Sequence, residues 1–289
     1  MHKIVIGSLL LIGSLSVQAH GLWLNHIESV EGGHHMVFIG FGHAFPLEDT
    51  MVDDWGAVHM EHYDLITPKG KKISLGIPEI TPLSIKEQPG GISVQEGADI
   101  GLKKLRLGDK AEQGIYQIAG GTPMTYFTSY KNKKGRVTFA EVPPDQIEDL
   151  AEVVKTSAYA MYVKTLFYNG ESSFKQPDNV GHPLEIVPLS NLKGIKAGDR
   201  VSFKVLINGR PMKDYGAYFL ARNMAFGIDQ MIHVKLINGE GELRLPTGGQ
   251  WRIEAAKEAP PEEFRGMDEY EGKVMMVSLS ASFTFHAEP

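Results

Sequence analysis

Turn residues recur along this chain at intervals too short for ordinary helices, and that spacing constrains the fold more than any other feature. Asn208-Gly209 and Asn238-Gly239 are dipeptides that favour tight hairpins; Glu31-Gly32-Gly33 and Pro68-Lys69-Gly70-Lys71 supply turn chemistry earlier in the chain. Between the turns lie short strand-like runs, at 22–27, 36–39, 58–66, 102–107, 114–118, 125–130 and 158–168, the last rich in Tyr, Val and Phe. Beyond residue 183 they continue at 200–207, 217–222, 231–237, 242–245, 250–256 and 274–285. The expected architecture is mainly β, with two β-sandwich domains, the C-terminal one immunoglobulin-like. One short helix is expected in the N-terminal domain, over 146–155. Asp145 and Glu148 stand there at capping-box spacing, and Ile147, Leu150, Ala151 and Val154 form an apolar stripe. The polar stretch 171–180, with Pro177, reads as a connection. The division is therefore 1–19, 20–181 and 182–289.

The first of these segments is a leader. Met1-His2-Lys3 precedes an apolar run, and Val17-Gln18-Ala19 carries small residues at the two positions a signal peptidase reads. Cleavage after Ala19 would make His20 the first residue of an exported protein. A first-position His offers an α-amine and an imidazole to one ion. The apolar run is too short to span a bilayer, so no membrane insertion is expected after processing.

Composition narrows the chemistry. The formal net charge is −6, one unit more negative once Lys3 leaves with the leader, and no basic cluster offers a surface to nucleic acid. There is no Cys, which excludes disulfides and thiolate ligands. A metal would be held by nitrogen and oxygen, a donor set that suits Ni, Co, Cu or Zn. The signatures of Ser hydrolases, P-loop proteins and dinucleotide-binding enzymes are absent.

Among eleven His, three are candidate metal ligands: His20, His43 and His182. If Glu31-Gly32 centres a hairpin turn, antiparallel residues sum to 63, and His20 faces His43 across the pair. Gly40 and Gly42 would let the backbone beside His43 approach an ion. His182 enters the second unit within Gly181-His182-Pro183. His59 and His62 sit three apart in a strand-like run, so a straight strand points them to opposite faces. Whether His59, Glu61 or His62 joins the site stays open. His34-His35 reads as a solvated pair beside a turn, and His26 and His233 as ordinary sheet residues.

Three motifs carry a likeness. His20-Gly21-Leu22-Trp23-Leu24, Gly40-Phe41-Gly42-His43-Ala44-Phe45-Pro46 and Gly181-His182-Pro183-Leu184-Glu185-Ile186-Val187-Pro188-Leu189 resemble the periplasmic component of cobalt/nickel ABC-type transport systems, the family of domain-of-unknown-function 4198 proteins. The runs 205–212 and 248–253 share the likeness, and it covers nearly the whole mature chain. It implies a periplasmic β-rich protein that binds Ni or Co and serves uptake; the chain is accordingly expected to be non-enzymatic, with the metal ion and a membrane metal transporter as partners. Two rival readings are an exported copper monooxygenase, which also uses an N-terminal His and a second His, and a structural sandwich module without metal.

Overall fold

A computed structural model describes residues 21–29, 32–46, 48, 51–53, 56–80, 84–96, 99–170, 175–227 and 230–289. They form a mainly β, sandwich-type fold, and their only helices are three-residue 3₁₀ turns. One strand organises it. Leu150–Asn169 runs for 20 residues and pairs antiparallel with Gly114–Gly121 and Thr125–Asn132. Along its other edge it pairs in parallel with the last strand, Met276–Ala287. The sheet continues through Gly249–Ala259, Tyr218–Asn223 and Ile232–Lys235 on one side, and through His62–Ile66 and Lys72–Ser74 on the other. It therefore crosses the boundary expected at 181/182, which falls in the connection before the strand Leu184–Pro188.

Alternation along these strands serves two cores, because successive side chains leave a strand on opposite faces. Phe283 and Phe285 meet Phe203, which belongs to a smaller sheet built on Leu184–Pro188 and Arg200–Ile207. Ala160, Tyr162 and Leu166 join that cluster. Val163 and Phe167 instead join Leu22, Leu24, Val37 and Ile39 in a second cluster. On the second face, Ser282 Oγ donates to Leu22 O at 2.7 Å and Thr284 Oγ1 to Leu24 O at 2.6 Å. The first strand, Gly21–Glu28, lies at the edge of its own three-stranded sheet. The two hydroxyls occupy carbonyls that an edge strand leaves without backbone partners.

The helix expected over 146–155 is not formed. Only Pro144–Gln146 makes a 3₁₀ turn, and the chain from Leu150 onward is strand. The reason is local: the pairing with Thr125–Asn132 shifts register between Ser129 and Tyr130 and again between Lys131 and Asn132. Each shift breaks strict alternation, so apolar residues fall at spacings that mimic a helical stripe, and cross-strand pairing overrides the local preference.

The hairpin register is the expected one. Gly21 opposes Gly42, Leu22 opposes Phe41, and the series of pairs summing to 63 runs unbroken to Glu28 opposite His35. Within it Trp23, fully buried, lies against Gly40. A methyl group at Gly40 would overlap the indole, with Trp23 Cδ1 only 2.8 Å away. Gly40→Ala is accordingly expected to destabilise the protein by about 1–3 kcal/mol, the usual cost of overpacking. Urea unfolding measures this, and an unchanged midpoint would mean that the indole has room to move.

Candidate metal-binding site

The sequence nominates His20, His43 and His182, and the structure answers differently for each. His20 lies outside the described residues. It is one peptide bond from Gly21, the last residue of the first strand to be paired, whose partner Gly42 directly precedes His43. At Gly42 the chain turns out of the strand with φ +121°, a left-handed value that favours glycine. A side chain there would also strike the Glu48 carboxylate.

Glu48 organises the segment after the bend. Its Oε2 accepts from the backbone N–H of His43 and, at 2.7 Å, from that of Ala44. The same oxygen lies 3.7 Å from His43 Nδ1. The His43 ring is largely exposed and borders a cavity of about 60 Å³, shared with Arg222, Asn223, Phe226 and Gln230. Pro46 O closes the segment, accepting from Trp23 Nε1 at 2.9 Å and from Asn25 Nδ2 at 3.1 Å.

Behind the strand end is a buried charge pair. The Arg252 guanidinium lies 4.5 Å over the Trp23 ring, and its Nη2 is 3.1 Å from Glu254 Oε2. Burial pulls the Arg252 pKa below its ordinary value, and Glu254 opposes the shift. A Cβ at Gly21 would press on that guanidinium, with Cζ at 3.2 Å. Glycine at this position lets the first strand pass close over Arg252.

His182 is buried in a different neighbourhood. Its Nε2 stands 2.9 Å from His62 Nε2, and its ring stacks on Tyr162 at 5.0 Å between centroids. His62 opens the strand His62–Ile66 opposite Gly121, which opposes Tyr162 in turn. Paired residues share a face, so His62 and Tyr162 rise together, and the missing side chain at Gly121 leaves room for the His62 ring. Burial lowers the pKa of both imidazoles: that of His182 falls well below the ordinary value, with the Lys164 charge adding to the effect.

The loop carrying His182 is held by Glu185. This carboxylate accepts from Lys164 Nζ at 2.6 Å and from the backbone N–H groups of Val180 at 2.9 Å and Gly181 at 3.1 Å. Lys164 and Glu185 are both 2% exposed. Burial pushes Lys164 toward neutrality and the Glu185 charge pulls it back. The carboxylate thus fixes the two residues before His182 against the long strand.

A third imidazole group was not anticipated. His35, expected to be solvated, is 1% exposed. It stacks on Phe167 at 4.0 Å, and its Nδ1 lies 3.1 Å from His26 Nε2. Burial, with His35 and His286 adding to it, brings the His26 pKa from 6.5 to about 4. His35 Nε2 has no hydrogen-bond partner among the described residues.

His43 and His182 belong to separate places. The His43 cavity borders Asn223, and five strand spacings of the long sheet, on the order of 20 Å, separate its strand from that of His62. Among the described residues no three His, Asp or Glu side chains converge as a metal-holding group. His59 is exposed and stands before the strand that His62 opens.

The family model described as Domain of unknown function (DUF4198) matches residues 17–259. No curated protein matches the chain.

Proposed function

This chain belongs to the DUF4198 family, and from that premise we propose that it is an exported, non-enzymatic protein that binds a divalent transition metal, nickel or cobalt, for uptake. The metal is cargo, held by the α-amine and imidazole of His20 and the imidazole of His43, and released to a membrane metal transporter. What supports this reading is the register. Pairing that runs as far as Gly21 opposite Gly42 makes His20 and His43 the next residues in sequence beyond the two paired ends.

The donor chemistry fits the cargo. A site of nitrogen and oxygen, without thiolate, suits a borderline divalent ion that must later leave. Glu48, 3.7 Å from His43 Nδ1, is placed to orient the ring so that Nε2 remains for the ion. His43 is exposed enough to meet an incoming ion and makes little of the core.

The test is the first residue itself. Protein beginning at His20 is compared with protein carrying one residue before it, in which an amide replaces the amine. Titration calorimetry with Ni²⁺ and Co²⁺ should show the extension, and separately His43→Ala, weakening binding more than tenfold, over about 1.4 kcal/mol. The metal-free Tm should stay unchanged in both. Equal affinity in extended and processed forms would exclude the amine as a ligand.

A further inference from the structure

We propose that His62 and His182 form a second transition-metal site, independent of the one at the start of the mature chain, in which their two Nε2 atoms hold one divalent ion in adjacent positions and water fills the others. The distance is the first argument. Nitrogen ligands about 2.0–2.1 Å from an ion and at right angles to each other lie about 2.8–3.0 Å apart, and the two Nε2 atoms are 2.9 Å apart. At present the rings point at each other, one Nε2–H donating to the other. Binding needs the donor ring to carry its proton on Nδ1 instead, and the half-buried His62 ring to turn so that both lone pairs meet the ion.

Construction of the place is the second argument. His182 is nearly buried and its loop is pinned through Val180 and Gly181 to the Glu185 carboxylate. Tyr162 backs the His182 ring. On the other side His62 is only half-buried, on a strand whose neighbour at Gly121 has no side chain to obstruct it. One ligand is therefore fixed and the other accessible, an arrangement in which an ion can enter from the His62 side. The Asp64 and Glu61 carboxylates lie within electrostatic reach of His62, where they act against the Lys72 charge.

Stoichiometry separates this site from the proposed N-terminal one. Four proteins are titrated with Ni²⁺ and with Co²⁺: the form beginning at His20, the form extended by one residue, and His62→Gln in each. The expected result is two equivalents for the first, one for the extended form, one for His62→Gln and none for the doubly altered protein. Loss of the N-terminal reading alone leaves the extension without effect while His62→Gln still removes an equivalent. An unchanged stoichiometry in His62→Gln, with native circular dichroism and Tm, would overturn the second site. Should His62→Gln fail to fold, Cu²⁺ electron paramagnetic resonance on the extended form decides it: two coordinated imidazole nitrogens support the site, and none overturns it.

Discussion

Glu185→Ala is expected to lower the free energy of unfolding by about 3–5 kcal/mol, the cost of leaving one member of a buried ion pair uncompensated. The substitution strands the Lys164 ammonium at 2% exposure and removes the acceptor of the Val180 and Gly181 amides. Glu185→Gln should cost less, because an amide oxygen still accepts from the loop. The double variant Lys164→Met, Glu185→Leu should cost far less than the sum of its parts, since a well-packed apolar pair replaces two desolvated charges. Urea unfolding of wild type, Lys164→Met, Glu185→Leu and the double variant closes the cycle, with Glu185→Ala and Glu185→Gln measured beside them. A loss below about 1 kcal/mol in Glu185→Ala would be the behaviour of a solvated pair, not a buried one.

Acidification from pH 7 to pH 4.5 is expected to destabilise the metal-free protein steeply, and before most carboxylates titrate. Burial holds the pKa values of His26, His35, His62 and His182 down, that of His26 from 6.5 to about 4. Each ring takes up a proton less readily in the folded state than in the unfolded chain, whose histidines titrate near pH 6.5. The unfolded state therefore binds more protons between pH 6.5 and 4, and stability rises with pH across that window and levels off above it. For His26 alone the change amounts to on the order of 3 kcal/mol. Unfolding free energies at pH 7.5, 6.0, 5.0 and 4.5 check this, with His26→Gln expected to flatten the slope. A wild-type profile flat from pH 7.5 to 5.0 would mean that the His26–His35 stack on Phe167 opens freely to water.

The β class and the hairpin register were legible in the sequence because both depend on neighbours in the chain. A turn residue sets a pairing sum, and the pairing sum fixes every later partner. The stretch 146–155 was misleading because its pairing shifts register twice, leaving Val154 and Ala151 without a partner residue, and local periodicity does not announce such bulges. The pair of His62 and His182 was not legible either. Its members are 120 residues apart, and the strand begins only at His62, so the opposite-face argument that set His59 against His62 did not apply. A usable signal did exist one step away. Glu185 is a carboxylate inside Leu-Glu-Ile-Val-Pro, a strand with every residue buried. A charge there demands a buried partner of opposite sign, and the Lys164 that supplies it lies beside the imidazole pair.

The two hydroxyls that reach from the last strand to the first join residues 260 positions apart. A chain made from its N-terminus cannot form those bonds until Ser282 and Thr284 have been added. Until then the first strand has its hairpin mate and the apolar contacts of Val163 and Phe167, but its outer carbonyls lack these two donors. The front end of the molecule is thus the earliest part made and the latest part secured. Removing about a dozen residues from the tail would unfasten the head, and protease sensitivity near Leu22 and Leu24 would report that loosening at the opposite end of the sequence from the cut.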